Sequence, residues 1–157
     1  MSVPTSAPER VFSDEASAAL DQGAILGAVL AAVDEAMLDV VGGHAAPQTL
    51  AEHAQHLGQV LFENVPAFSL AYLGDTLGSF AAREAVRNHH ARAAAFGVGS
   101  YACYAAGGAW YGMMNEAGTH GGKVHGLESA VQTAVTVMIV GTLFNAWHYI
   151  KERIRQP

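Results

Sequence analysis

Two stretches without ionic side chains constrain this chain more than any other feature. Residues 93–114 and 129–150 are each 22 residues long and contain no Asp, Glu, Lys or Arg. A helix rises about 1.5 Å per residue, so either run is long enough to cross a hydrocarbon layer of about 30 Å. Their flanks point the same way. Arg83, Arg87 and Arg92 precede the first run, Lys151, Arg153 and Arg155 follow the second, and Lys123 is the sole base between them. A hairpin puts both basic clusters on one side, and an excess of Lys and Arg marks the cytoplasmic side. Trp110, Tyr111, Trp147 and Tyr149 lie near the run ends, where amphipathic rings favour the membrane interface.

The rest of the chain differs in charge. Residues 1–64 hold nine acids (Glu9, Asp14, Glu15, Asp21, Asp34, Glu35, Asp39, Glu52 and Glu63) against Arg10 alone. The net charge of −6 argues against nucleic acid, because phosphate neutralisation needs clustered bases. The first residues lack the basic start and apolar run of a secretory signal, which leaves the N-terminus expected in the cytoplasm. The single cysteine, Cys103, forms no internal disulfide and no thiolate zinc site.

Apolar residues recur at helical intervals and nowhere alternate as in a strand, so the chain reads as all-α. Ser13 is an expected N-cap, with Asp14 and Glu15 in the first turn where the helix dipole favours negative charge, and Gly42 and Gly43 are expected to stop that helix. Asp14, Asp21, Glu35 and Asp39 share one narrow face of it. Thr49 to Glu52 form a T-x-x-E capping box that opens a second helix. Pro66 lacks a backbone N–H and is expected to break that helix and open a third segment toward Arg87. The expected architecture is a transmembrane helical hairpin preceded by amphipathic helices, four to five helices in all. It divides into a flexible tail at 1–12, an acidic amphipathic region at 13–92, the hairpin at 93–150 and a basic tail at 151–157.

Small residues at intervals of four run through the first uncharged stretch: Gly99, Cys103 and Gly107 on one row, Gly108 and Gly112 on another. In lipid such rows let helix backbones approach closely, which points to helix packing and self-association. Asp75, between Gly74 and Thr76 after an apolar segment, is the candidate ion or proton carrier, because an ionisable group at membrane depth has function as its default explanation. A solvated or ion-paired Asp75, helically close to Arg83 and Arg87, is the plainer reading. His120 and His125 sit in a Gly-rich loop with Met113, Met114 and Glu116, donors that suit copper or zinc, although their spacing matches no dedicated motif. His148, near the end of the second run, is a candidate haem ligand with His89 or His90. Cys103 in apolar surroundings is inert. No nucleophile elbow or phosphate loop is present, so the expectation is a protein that is not an enzyme.

The expected function is a small oligomeric integral membrane protein of the cell membrane that serves as an anchor, scaffold or assembly subunit, with its acidic front half available to a partner protein. Three alternatives stand beside it: a proton or small-cation conduit using Asp75, a haem- or metal-binding redox subunit, and a soluble all-α oligomeric structural protein. The polar residues within the two runs, Tyr101, Tyr104, Gln132, Asn145 and His148 among them, keep the last of these open.

Overall fold

The computed structural model describes residues 7–41, 49–119 and 123–155, and every regular element among them is helical. The four helices are α1 (Ala7–Val41), α2 (Leu50–Val86), α3 (His90–Thr119) and α4 (Lys123–Arg155). Each is 30 to 37 residues long. At about 1.5 Å per residue, all four exceed the thickness of a hydrocarbon layer.

Helix α2 begins where the capping box places it. The Thr49 hydroxyl accepts from the Glu52 amide and the Glu52 carboxylate accepts from the Thr49 amide, both at 3.2 Å. Helix α1, in contrast, begins at Ala7, ahead of Ser13. Pro8 falls in its first turn, where a missing N–H breaks no helical bond.

Pro66 does not end α2, which runs through it without interruption. Proline leaves the carbonyl of residue 62 without its helical donor. That carbonyl is taken by the indole of Trp110 on α3, whose Nε1–H donates to the Phe62 oxygen at 3.1 Å. The Phe62 and Trp110 rings meet edge to face at 5.0 Å. A neighbouring helix thus repairs the gap, as it does for prolines in apolar surroundings generally.

The α2–α3 turn is built on Asn88, whose φ of 63° is left-handed. The His89 amide reaches back to the Glu84 carbonyl at 2.9 Å, closing the helix end. Glu84 is buried there, with His89 Nδ1 at 2.9 Å from its carboxylate, Arg87 at 3.5 Å and Arg92 at 4.0 Å.

Successive helices pack antiparallel, and α2 also touches α4, while α1 packs on α2 and makes no backbone approach to α3 or α4. Glycines set the crossings. A Cβ on Gly23 would stand 2.5 Å from the Ser69 Cα, and one on Gly27 would stand 2.8 Å from the Val65 Cα. Near the other end of α1, Phe12 joins Phe80 and Phe96 in a ring cluster at 5.2 and 5.4 Å, and Glu15 pairs with Arg83 at 3.3 Å.

The interior is made of small side chains. The buried apolar residues are Ala19, Ala31, Val60, Ala67, Ala82, Val86, Tyr104 and Ala130. Many large ones are exposed, Ile25, Val29 and Val33 on α1 and Val131, Ile139, Leu143, Phe144, Trp147 and Ile150 on α4 among them, while Leu61, Phe68, Leu70, Leu73, Leu77 and Phe80 on α2 are half-buried.

Among the described residues, two helical segments are long and apolar enough to cross a membrane: Val11–Val33 in α1 and Gly126–Arg155 in α4, with mean hydropathy 1.6 and 1.5. The second contains the expected run 129–150. The first was expected to be acidic and amphipathic, and the expected run 93–114 in α3 does not reach that hydropathy. The reason is compositional: residues 93–114 lack charge but consist mostly of Gly, Ala and Tyr, whereas Val11–Val33 carries Leu, Ile and Val around few acids.

Candidate functional site

The middle of α2, α3 and α4 holds a polar cluster in an otherwise small-residue interior. Ser100, fully buried, donates from Oγ to the Gly74 carbonyl at 2.7 Å and accepts from Asn145 Nδ2 at 3.2 Å. Gly78 makes room for Asn145, whose amide lies where a Cβ on Gly78 would stand. The Tyr104 ring is held between Gly74, where a Cβ would stand 3.1 Å from it, and Gly141, where a Cβ would collide with it. Only 4% of Tyr104 is exposed, and its hydroxyl has no hydrogen-bond partner among the described residues.

Asp75 lies beside this cluster on α2. Its partner is His148 on α4, with Oδ1 at 2.8 Å from Nε2. The expected proximity of Asp75 to Arg83 and Arg87 is not what the structure shows, because Arg83 is drawn to Glu15 on α1 and Arg87 to Glu84. The Asp75–His148 pair spans 73 positions, and only the parallel approach of α2 and α4 brings it together. The imidazole is the more sheltered partner, with its side chain 19% exposed against 45% for the carboxylate. A neutral imidazole gives this carboxylate a hydrogen bond; a protonated one adds an ion pair. The same contact engages Nε2 of His148, the atom that the haem reading required.

The glycine rows pack inside the chain. A Cβ on Gly108 would stand 2.8 Å from the Ala134 Cα, one on Gly112 would stand 2.5 Å from the Ser129 oxygen, and one on Gly107 would stand 2.9 Å from the Ala67 oxygen. Gly108 and Gly112 therefore seat α4, and Gly107 seats α2. Gly99 faces only the Leu77 side chain at 3.4 Å, and Cys103 is a free, half-buried thiol. A surface for self-association has to lie elsewhere than on Gly107, Gly108 and Gly112.

His120 lies outside the described residues, as does the side chain of His125. Among the described residues, no three His, Cys, Asp or Glu side chains gather as a metal site would need.

Asn145 is among the polar residues, with Gln132 and Thr136, that the sequence offers to a conduit beside Asp75; Ser100 and Tyr104 and the Tyr101–Thr142 contact, 3.0 Å between hydroxyls, are not singled out from the sequence as sites. The signal that could have found them is the set of polar residues inside two uncharged runs, together with Gly74, Gly78 and Gly141 spaced to admit them. Compared with known proteins, the chain matches no protein family, no curated protein and no solved structure.

Proposed function

We propose that this chain is a small integral membrane protein with four spans and that it serves as an assembly or anchoring subunit. One observation carries the reading: segments chosen on composition alone overlap in height along the bundle. The midpoint of Val11–Val33 is residue 22, and that of Gly126–Arg155 lies between residues 140 and 141. Gly23 packs at Ser69, Gly74 and Gly107 pack at Tyr104 and Leu70, and Tyr104 packs at Gly141. A level line drawn from the middle of α1 thus passes Ser69 in the middle of α2 and Gly107 on α3, and reaches α4 near Ala134, within about two helical turns of the midpoint of Gly126–Arg155. Four helices of 30 to 37 residues packed in antiparallel succession lie side by side, and a slab of uniform thickness would fit across them.

Charge supports the same slab. By chain position, seven of the eight bases lie at the end where α1 starts, α2 stops, α3 starts and α4 stops; only Lys123 is at the other end. With four spans, the excess of Lys and Arg places that end and both termini in the cytoplasm. Helices α2 and α3 need less hydropathy than α1 and α4 because their neighbours shelter them. Exposed Ile, Leu, Phe and Trp side chains then meet lipid, while close packing of small residues holds the helices together.

The test is extraction of the membrane fraction with alkaline carbonate and then with mild detergent. Retention through carbonate and release by detergent is the expected result; release by carbonate refutes the reading. A second reading, a proton or small-cation conduit, is favoured by the Asp75–His148 pair beside the buried Tyr104 hydroxyl. Purified protein in liposomes should then pass protons or sodium, and Asp75→Asn should abolish the flux; flux that survives this substitution removes it.

A further inference from the structure

We infer that copies of this chain associate head to tail, with Asp21 on the outer face of α1 in one copy against Tyr101 and Thr142 on the outer face of the α3–α4 pair in the next. The inference rests on the four-span reading and names the partner that such a subunit requires.

Asp21 lies one residue from the midpoint of the apolar segment Val11–Val33. It is exposed on the bundle surface, as is Gln22 beside it, and neither makes a hydrogen bond or ion pair among the described residues. A carboxylate at mid-depth facing acyl chains is strongly unfavourable, so such groups face protein or water. No base of a second copy in the same orientation reaches that height, because the bases cluster at the two ends. Donors do reach it. The Tyr101 hydroxyl, exposed with its ring on α3, bonds Thr142 on α4 at 3.0 Å, and Thr142 lies within two residues of the α4 midpoint. An acceptor on one edge of the bundle and a phenol on a different edge thus stand within about one helical turn, roughly 5 Å, of the same height.

A phenol that turns from Thr142 to a neighbour's carboxylate makes a charge-assisted hydrogen bond in place of a neutral one. The surfaces around both groups are apolar and exposed, with Ile25 and Val29 near Asp21 and Ile139 and Val140 near Thr142. Among the described residues the backbones of α1 and α4 do not approach each other, which leaves an outer face of each to meet the other in a neighbouring copy. Because the two surfaces differ, the contact is heterologous, and it propagates around a ring or along a row instead of stopping at a dimer.

The test is cysteine cross-linking of the full chain in membranes. In a Cys103→Ala background, Ile25→Cys and Ile139→Cys are introduced together and singly and treated with a short bismaleimide. The pair should give a ladder of dimers, trimers and larger species, each single variant should not, and Asp21→Leu or Tyr101→Phe should reduce the ladder at least several-fold. A dimer from Ile25→Cys alone, with nothing beyond it from the pair, indicates a symmetric contact and overturns the inference; so does the absence of adducts. Carbonate extraction of the same membranes separates the two levels: protein retained without a ladder refutes the head-to-tail contact alone, and protein released refutes the four spans as well.

Discussion

Trp110→Phe isolates the bond that lets α2 run through Pro66. Phenylalanine keeps an aromatic ring against Phe62, now 5.0 Å away, and removes only the indole N–H that donates to the Phe62 carbonyl at 3.1 Å. Proline at 66 supplies no amide, so that carbonyl loses its donor. On the four-span reading this carbonyl faces hydrocarbon, where a stranded acceptor costs about 1–3 kcal/mol, whereas side-chain bonds between helices in lipid are worth about 0.6 kcal/mol on average and about 1.7 at most. The expected loss is about 1–2 kcal/mol, including the smaller ring. Pro66→Ala restores the amide of residue 66 and with it an ordinary helical bond to the same carbonyl. In that background Trp110→Phe should lose only the packing difference, about 1 kcal/mol or less. The assay is a double-mutant cycle on unfolding midpoints in mixed dodecylmaltoside and dodecyl sulfate micelles. A coupling near 1 kcal/mol is expected; equal losses in both backgrounds, within about 0.3 kcal/mol, refute the proposed role of Trp110.

Gly108→Ala should destabilise by about 1–3 kcal/mol, because its methyl would meet α4 backbone at 2.8–2.9 Å and the helices must part. Gly97→Ala, with nothing within 4 Å, should stabilise by up to about 1 kcal/mol through helix propensity; the same unfolding assay compares them. Asn88→Val should weaken the α2–α3 turn by roughly 1–2 kcal/mol, since a branched residue resists the left-handed φ of 63°, while Asn88→Gly should preserve it. Amide exchange across residues 84–93 reads the difference, and equal protection in the two variants would count against a strained turn. In liposomes, sodium or proton flux abolished by both Asp75→Asn and His148→Ala would favour the conduit reading over a purely structural pair.

Local patterns recovered the parts of the fold that local physics decides. The Thr49–Glu52 box is a reciprocal arrangement of near neighbours, and it forms as its spacing implies. Pro66 was misleading for the opposite reason: the group that repairs its missing bond is Trp110, which lies on another helix and leaves no mark near position 66. The partner of Asp75 was hidden in the same way, 73 positions away, while the nearby Arg83 and Arg87 were taken by Glu15 and Glu84. The two signals of a span separate here: residues 93–114 lack charge but are rich in Gly and Ala, whereas Val11–Val33 carries aliphatic side chains around three acids. How the four helices align along the bundle is a property of packing, and the crossings at Gly23, Gly107 and Gly108 make it visible.

The most direct test of four spans at one height is the depth of spin labels in reconstituted bilayers. Single cysteines at Leu20 on α1, Ala102 on α3 and Val140 on α4, all exposed and all near the common level, are labelled in a Cys103→Ala background. Relaxation by oxygen against a water-soluble nickel chelate should place all three labels within a few Å of the bilayer centre. Labels on α1 or α3 that relax with the chelate, while that on α4 does not, would contradict it.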